Sequence, residues 1–468
     1  MASTFHVEHF GCRAARADGE AVSDRLRAAG LFEQNPEAAD VVVVNTCSVT
    51  TEADRAARAF IRRSHRLNPA ARVVVTGCYA QRAPEELAGL AGVAAVVGNS
   101  HKALAPGIIL DLVRDRDGVA PLASPELVSV QSLLAGGVPI WADDRFAHSF
   151  LEEVQLAPGT QTRPNLKIQE GCGNRCTFCV IPQTRGSSRS LPAASVLKQV
   201  EGFVAAGGNE LVLSGINLGR WGRDLPLSED SHRLTLAGLL RQIFNETALP
   251  RLRLSSIEPM DWDADLIGLM AEFGGIRLSR HAHLPLQSGS DTVLRRMHRR
   301  YRPWHYAEKV EALVRAAGPE LTLGADVMVG FPGETEGEFI ETLELVRALP
   351  FGYLHLFPFS PRPGTRGWAL HAEEPVPDVA VEERMAALRN LAAEKGRIHR
   401  ERFVGRELEA ITLHTPAKQA RRGKTTALTE NFLPVEMDGL LPANRLLQIR
   451  VKRLAADGAL KATCLTSL

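Results

Sequence analysis

Three cysteines in one short loop constrain this chain of 468 residues more than any other feature. Cys172, Cys176 and Cys179 are separated by three and then two residues, so one loop can direct all three sulfur atoms onto a single metal group. A four-iron cluster takes four thiolates, and this loop leaves one iron with an open position. Open metal positions are typical of reactive sites rather than structural ones. The spacing therefore predicts a catalytic [4Fe–4S] cluster.

Other uses of clustered cysteines fit this pattern less well. Structural zinc sites need a second pair of ligands downstream, but the next cysteine after Cys179 is Cys464. Disulfide frameworks are typical of short secreted chains, whereas residues 1–8 lack the pattern of a signal peptide. No apolar run approaches the ~20 residues of a transmembrane helix. Chance clustering of the three cysteines is the remaining alternative. Because neither a signal peptide nor a transmembrane run is recognised, we expect a cytoplasmic protein without a membrane partner.

Three further cysteines follow predicted strands near the start of the chain. The pairs are strand 5–8 with Cys12, strand 41–44 with Cys47 and strand 73–75 with Cys78, and a fourth strand is predicted at 93–97. Helical patterns at 20–29 and 53–67 complete an alternation that predicts an open, doubly wound parallel sheet. Ligands bind such sheets beyond the carboxyl ends of the strands. The three thiols therefore predict a second cluster with an open iron; three unrelated buried thiols are the alternative.

The middle of the chain repeats short apolar segments and amphipathic helices. Predicted strands lie at 167–169, 210–213, 251–255, 281–284, 324–329 and 353–357. Six β-α units predict a partial parallel barrel, whose active-site mouth is formed by the carboxyl ends of the strands. The Cys172 loop follows the first strand, and polar or glycine-rich segments follow the others. Ordinary turns also look like this, but alignment around one mouth favours a functional site.

After a charged helix at 382–402, the sequence pattern changes from helical to short alternating segments. Five short strands are predicted at 408–413, 425–428, 433–437, 446–451 and 460–465. They predict a small all-β barrel, with Cys464 in its core. Residues 401–468 hold eleven Lys or Arg against seven Asp or Glu. The excess is concentrated at four candidate phosphate-binding residues, Lys418, Arg421, Arg422 and Lys424; a solvated basic face is the alternative.

Together these patterns predict an α/β protein. The expected organisation is an N-terminal parallel α/β sheet with a cluster at 1–115, a linker at 116–160, a partial (β/α)6 barrel at 161–400 and a small all-β barrel at 401–468. The hydrophobic content of 45% is normal for a globular protein. The net charge of +1 neither requires nor excludes a nucleic-acid partner.

With these residues identified, the chain resembles the radical S-adenosylmethionine (SAM) methylthiotransferases over nearly its whole length. The resemblance rests on the two cysteine sets and on a terminal barrel of the TRAM type. Five segments are similar to the branch that acts on N6-threonylcarbamoyladenosine at position 37 of tRNA: 45–50 (NTCSVT), 76–81 (TGCYAQ), 167–172 (KIQEGC), 216–222 (INLGRWG) and 429–432 (TENF). Residues 13–18 (RAARAD) depart from the family, because they lack its usual Asn and Tyr-Glu, although Glu20 remains.

The resemblance implies two [4Fe–4S] clusters and SAM as cofactors. It implies that the Cys172, Cys176 and Cys179 cluster binds SAM and yields a 5′-deoxyadenosyl radical. The Cys12, Cys47 and Cys78 cluster would present a sulfur atom, and a second SAM would supply a methyl group. Further cofactor-binding positions implied by the resemblance are Phe178 against the cluster, Gly208 and Glu210 near the SAM amino group, and Ser255 and Glu258 near its ribose.

The resemblance also implies the anticodon stem-loop of tRNA as substrate and a flavodoxin-like or ferredoxin-like electron donor, and it leaves the sulfur donor undefined. RNA loops with splayed bases suit such chemistry, and the basic barrel would hold backbone phosphates. Three alternatives remain open. They are methylthiolation of isopentenyl-adenosine-37 in tRNA, methylthiolation of a ribosomal-protein aspartate, and an iron–sulfur RNA-binding or redox protein without SAM chemistry.

Overall fold

The computed structural model describes residues 3–116, 137–150, 156, 162–227 and 233–467. The chain forms two compact units. The first unit comprises Met1–Gln155, Gln169–Arg189 and Ser360–Thr365, and the second comprises Leu156–Ile168, Ser190–Phe359 and Arg366–Leu468. Among the described residues, no helix is both long enough and apolar enough to cross a bilayer.

The first unit contains a six-stranded parallel sheet. Its strands are β1 (Thr4–His9), β2 (Phe32–Glu33), β3 (Val41–Thr46), β4 (Arg72–Gly77), β5 (Val93–Gly98) and β6 (Ile140–Trp141), in the order β2-β1-β3-β4-β5-β6. The valine runs of β3 and β4 are fully buried, because a parallel sheet is covered on both faces. The predicted open parallel sheet is confirmed. Strand β6 lies within the predicted linker, so part of 116–160 belongs to this sheet instead.

Helices cover both faces of this sheet and form two separate apolar cores. They are α1 (Arg13–Ala28), α2 (Thr51–Leu67), α3 (Cys78–Arg82), α4 (Pro84–Ala88), a 3-10 helix (Asn99–Leu104), α5 (Ala105–Arg116) and α6 (Ile181–Arg185). The hydroxyl of Thr50 caps α2 by accepting from the backbone N–H of Ala53, which satisfies one of the unpaired donors of the first turn. Helix α1 begins earlier than the predicted 20–29, because small residues such as Ala14 and Ala15 pack into the core.

The second unit is built on strands that alternate with helices. The strands are β7 (Asn165–Glu170), β8 (Arg189–Ser190), β9 (Glu210–Gly215), β10 (Arg251–Leu254), β11 (His281–His283), β12 (Thr322–Val329) and β13 (Phe351–Pro358). They pair as β10-β9-β7-β8 and β11-β12-β13, and β9–β10 and β11–β12–β13 pair in parallel. Hydrogen bonds from Leu252 to Arg277 and from Ile257 to His283 join the segments around β10 and β11. All six predicted strands are present, and the predicted partial barrel is confirmed.

The helices of the second unit follow these strands. They are α7 (Ala193–Ala205), α8 (Leu236–Glu246), α9 (Ala264–Phe273), α10 (Asp291–Arg296), α11 (Pro303–Ala317), α12 (Glu336–Ala348), α13 (Arg366–Glu373) and α14 (Asp378–Glu401), with 3-10 turns at Leu218–Arg220 and Pro259–Asp261. Helix α12 begins with a capping box, in which Thr335 and Glu338 each accept from the other's backbone N–H. Such local signals define where the helices begin.

The carboxyl-terminal segment of this unit forms a closed five-stranded barrel, as predicted. It contains β14 (Glu407–Thr412), α15 (Ala417–Ala420), β15 (Lys424–Thr429), β16 (Pro434–Asp438), β17 (Leu446–Leu454) and β18 (Leu460–Ser467). The predicted core position of Cys464 is wrong, because its side chain is exposed. Strand β16 pairs with β18 only as far as Ala462, so at Cys464 β18 pairs with β17 alone.

Candidate active site

The three N-terminal cysteines follow strands that are neighbours in the first sheet. Cys12 precedes α1, Cys47 follows β3, and Cys78 opens α3 directly after β4. Because β1, β3 and β4 are adjacent and parallel, their carboxyl ends lie at one edge. Burial and the nearby Cys78 and Cys12 raise the pKa of Cys47 to about 12. Neighbouring thiolates repel one another, and a shared cationic metal group would stabilise all three in that deprotonated form.

Glycine sets the backbone before three of the six cysteines. Gly11, Gly77 and Gly171 all have left-handed φ values, of +114°, +98° and +71°, which residues with a Cβ rarely adopt. A Cβ would also clash: it would lie 2.6 Å from Cys47 Cβ at Gly11, 2.3 Å from the carbonyl oxygen of Thr46 at Gly77, and 1.9 Å from the carbonyl oxygen of Ser187 at Gly171. The tight turns that present the thiols therefore require glycine.

The Cys172 loop lies in the first unit, between β7 and α6. Its three cysteines are half-buried. The backbone N–H of Cys172 donates to Gly186 over 3.0 Å, that of Cys179 to Cys176 over 3.1 Å, and that of Asn174 to the Sγ of Cys172 over 3.4 Å. Phe178, in the same loop, is half-buried. Backbone N–H groups that donate to thiol sulfur suit thiolate ligands of iron.

A buried arginine from the same segment contacts a thiol of the other set. Arg185, at the end of α6, is completely buried, and its Nε lies 3.3 Å from the Sγ of Cys78. Its Nη1 donates to Glu170 over 2.6 Å and to Asp18 over 3.1 Å. Burial would lower the pKa of Arg185, but Cys78, Glu170 and Asp18 raise it well above its usual value. The guanidinium is therefore a permanent charge beside Cys78.

Two further side chains complete this buried group. The Nζ of Lys102 donates to Asp18 over 2.7 Å and to Glu170 over 3.1 Å. The amide of Asn99 donates to the Sγ of Cys78 over 3.3 Å and to the carbonyl of Thr184 over 2.9 Å. None of these residues was identified from sequence, because no local pattern marks a charge that pairs far along the chain. The N–H groups of Asn99 and Arg185 that donate to Cys78 fit a thiolate ligand of an iron–sulfur cluster, whose sulfur atoms accept hydrogen bonds.

Buried polar atoms lie near the carboxyl ends of strands in the second unit. The Oγ atoms of Ser214 and Ser255 and the Oε1 of Gln287 are buried, and no described residue bonds to them. Ser214 is the second-last residue of β9, and Ser255 directly follows β10. Gln287 lies after β11 and has a φ of +64°. Unpaired buried polar groups are rare in proteins. These atoms fit the polar groups of a SAM molecule bound at the barrel mouth.

Glu258 lies beyond the end of β10, near Ser255 in sequence. Its carboxylate is mostly buried and forms an ion pair with Arg299. The expected role of Glu258 near the SAM ribose stays a prediction.

Gly208 and Glu210 lie at the amino end of β9, where the predicted strand 210–213 begins. Glu210 is the first residue of that strand and is fully buried. Its carboxylate lies 3.0 Å from Arg253 and 3.3 Å from Arg251. The expected contact with the SAM amino group stays a prediction, and the described contacts of Glu210 do not support it, because active sites of such barrels lie at the carboxyl ends of the strands. Gly208 has a packing role, since a Cβ there would lie 2.2 Å from the ring of Phe203.

The E210Q substitution is expected to destabilise the second unit without weakening SAM binding. Burial would raise the pKa of Glu210, but Arg253, Arg163 and Arg251 outweigh it and lower the pKa to about 2. Removing this charge leaves buried guanidiniums uncompensated, which costs about 3 kcal/mol in free energy of unfolding. Urea denaturation measures the loss. The matched control is E272Q, whose exposed pair with Arg241 contributes at most about 1 kcal/mol. A tenfold rise in KM for SAM in E210Q would contradict this assignment.

A histidine pair flanks a carboxylate inside the second unit. Asp326 Oδ1 lies 3.1 Å from His283 Nε2 and 3.2 Å from His355 Nδ1. The hydroxyl of Tyr353 lies 3.0 Å from His283 Nδ1 and 2.8 Å from His281 Nε2. Two imidazoles and a carboxylate can bind a transition metal, but these separations are those of hydrogen bonds. Burial would raise the pKa of Asp326, yet the bonds from both histidines hold it below its usual range.

The predicted phosphate-binding residues surround the short helix α15 of the small barrel. Lys418, Arg421 and Arg422 are exposed. Lys424 is paired with Asp438 instead. The structure thus leaves three of the four cations facing solvent.

Comparison with known proteins places these features in a family. The model described as "Uncharacterized protein family UPF0004" matches residues 4–98, and the "Radical SAM superfamily" model matches residues 166–346. A solved radical SAM methyltransferase, TsrM from Kitasatospora setae, aligns with a TM-score of 0.54 at 15% identity, over 76% of this chain and 75% of that chain. This likeness concerns the fold alone.

Curated relatives match nearly the whole chain. Threonylcarbamoyladenosine tRNA methylthiotransferase MtaB of Bacillus subtilis is 34% identical over 93% of this chain and 90% of its own length. The MtaB protein of Aquifex aeolicus is 33% identical over 95% and 99%. The tRNA-2-methylthio-N(6)-dimethylallyladenosine synthase of Acidothermus cellulolyticus is 33% identical over 96% and 82%. The chain therefore belongs to the radical S-adenosylmethionine methylthiotransferase family.

Proposed function

We propose that this enzyme converts N6-threonylcarbamoyladenosine at position 37 of tRNA into its 2-methylthio derivative. One observation carries the proposal: Arg185, six residues after Cys179, donates to the Sγ of Cys78 over 3.3 Å. Both cysteine sets therefore contribute to one compact unit. Methylthiolation needs a radical source and a sulfur source close together, which two open-iron clusters in one unit would provide. The choice of threonylcarbamoyladenosine as the substrate rests on the names of the MtaB relatives.

Membership of the family brings a [4Fe–4S] cluster and SAM. Cys172, Cys176 and Cys179 are the ligands that would hold this cluster, and Cys12, Cys47 and Cys78 would hold a second one. When bound, these cofactors supply the carbon radical that breaks the C2–H bond of adenine, the sulfur atom that replaces the hydrogen and the methyl group that completes the product. A flavodoxin-like or ferredoxin-like donor would provide the electrons.

The protein's own residues bind SAM, orient the cluster ligands and shield the reactive groups from water. Ser214, Ser255 and Gln287 offer buried polar atoms to SAM, and Phe178 would shield the nearby cluster from water. Glycines before Cys12, Cys78 and Cys172 hold the thiols in turns that a larger residue would distort. The barrel excludes water from reactive groups, while orientation and electrostatics come from fixed side chains.

The small barrel would hold the tRNA backbone through its exposed cations. Replacing Lys418, Arg421 and Arg422 together by alanine is expected to weaken tRNA binding and to lower the slope of log affinity against log salt by about two to three. Fluorescence anisotropy of a labelled anticodon stem-loop at several salt concentrations measures both effects. The control is K424A, whose ammonium is already paired with Asp438 and which should change the slope less. An unchanged slope in the triple variant would move the RNA site elsewhere.

The substrate is tested by mass analysis of tRNA nucleosides. A strain lacking the gene should lose the 2-methylthio-threonylcarbamoyl nucleoside and accumulate its precursor, and the wild-type gene should restore the product. Loss of the 2-methylthio-isopentenyl nucleoside instead would favour the function named for the Acidothermus relative. Purified enzyme given tRNA that carries only one of the two precursors decides the question if a second enzyme masks the deletion.

A further inference from the structure

We infer that Arg185 and Asn99 are positioning residues that set the reduction potential of the cluster held by Cys12, Cys47 and Cys78. The inference rests on the proposed function, in which those thiols are cluster ligands. Its structural basis is a pair of N–H···S hydrogen bonds that both end on Cys78. Hydrogen bonds to ligand sulfur are one of the levers by which a protein tunes an iron–sulfur cluster.

Both donors reach the sulfur inside the protein. The Nε of Arg185 and the Nδ2 of Asn99 each lie 3.3 Å from Cys78 Sγ. Arg185 is 0% exposed, Asn99 1% and Cys78 3%. Away from water, a hydrogen bond and a charge both act more strongly on their neighbour. These two N–H groups therefore stabilise negative charge on the sulfur more than the same contacts would at a surface.

The guanidinium is held in place by carboxylates that neutralise its charge. Nη1 of Arg185 bonds to Asp18 and Glu170, and Lys102 bonds to the same two carboxylates. Through these bonds, two cations and two anions of the described residues balance one another in charge. Because the carboxylates take Nη1, the orientation of the opposite edge is fixed, and that edge carries Nε toward Cys78.

The same edge carries a second donor. Nη2 shares the Nε side of the planar guanidinium, is buried, and has no hydrogen-bond partner among the described residues. A buried N–H without a partner is costly, so its place beside Cys78 favours an anionic acceptor there. Sulfide of a bound cluster is an acceptor of this kind. A reduced cluster carries one more negative charge than an oxidised one, so these donors favour the reduced form and raise the potential.

The test isolates this cluster in the full-length chain. In a parent variant with Cys172, Cys176 and Cys179 changed to alanine, the N-terminal thiols are the one cysteine set that remains to hold iron, beside the single exposed Cys464 in the small barrel. After anaerobic reconstitution with iron and sulfide, redox titration monitored by electron paramagnetic resonance gives the midpoint potential. The R185M/D18N pair removes the donor while it takes away one cation and one anion together, and D18N alone corrects for the lost carboxylate. The matched control is R362Q, a buried arginine of the same unit that pairs with Asp54 over 2.6 Å.

The inference makes graded predictions. Relative to D18N, the R185M/D18N pair should show a tenfold fall in the ratio of reduced to oxidised cluster at a fixed potential, which is a shift of 59 mV for one electron. N99A should shift the midpoint in the same direction by less, R185K should recover part of the loss, and R362Q should leave it unchanged.

The outcomes separate the inference from the function beneath it. An R185M/D18N variant with full iron and an unshifted midpoint overturns the tuning role but leaves the cluster in place. If R185M/D18N loses its iron, the midpoint potentials of R185K and N99A test the tuning role instead, and unshifted values in both variants overturn it. A parent variant that binds far fewer than about four irons per chain overturns the second cluster itself.

Discussion

Changing Cys12, Cys47 and Cys78 together to serine is expected to abolish methylthiolation while leaving reductive cleavage of SAM. The two processes use different thiols in the proposed arrangement: the Cys172 loop forms its own backbone bonds. Serine keeps the size of the side chain but does not replace a thiolate ligand of iron. The variant should therefore lose about four irons per chain and still release 5′-deoxyadenosine with dithionite.

Anaerobic iron analysis, 5′-deoxyadenosine formation and the yield of methylthiolated nucleoside measure the three effects of the triple serine variant. The control is C464S, because Cys464 is exposed and lies in the small barrel. Retention of methylthiolation by the triple variant would refute a sulfur-delivering cluster at these residues. Loss of SAM cleavage together with product would instead show that the N-terminal thiols support the radical step.

The G171A substitution is expected to lower SAM cleavage about 10²-fold, the effect of misplacing a catalytic group by about 1 Å. Gly171 has φ +71°, and a Cβ on it would lie 1.9 Å from the backbone oxygen of Ser187. A backbone atom cannot rotate away as a side chain can, so the turn before Cys172 must shift. That shift moves the first of the three thiols that would hold the cluster.

The matched control for G171A is G173A in the same loop, where a Cβ would meet nothing within 4 Å. Iron content and the rate of 5′-deoxyadenosine release distinguish the two variants. G173A should bind iron and cleave SAM at nearly the wild-type rate. If G171A also did so, the turn at Gly171 would not be what places Cys172.

Much of this fold is visible in local sequence patterns. The valine runs that lead to Asn45 and Thr76 predict buried parallel strands, and β3 and β4 form there. The six strands of the partial barrel and the five of the small barrel follow the same β-branched and apolar periodicity. Local patterns suffice here because a run or alternation of apolar residues marks a segment as a buried strand, wherever in the chain its partner strands lie.

Other features depend on which segments meet. Glu210 opens β9 as predicted, yet it pairs with arginines 41 and 43 residues downstream. Cys464 continues an inward-facing alternation, yet β16 no longer pairs with β18 at that point and only β17 does. The segment 116–160 is predicted to be a linker, yet β6 within it extends the first sheet. Each difference arises from a distant partner that no window of sequence contains.

The sequence by itself determined the six candidate cluster ligands, the order of the elements and the family. Only the tertiary structure decided which charges surround the thiols. Asp18 and Arg185 are 167 residues apart, and Arg185 and Cys78 are 107 residues apart. Burial makes such pairs obligatory, because an unpaired charge inside a protein is costly. Their partners are chosen by the path of the folded chain, so the environment of Cys78 is a property of the fold.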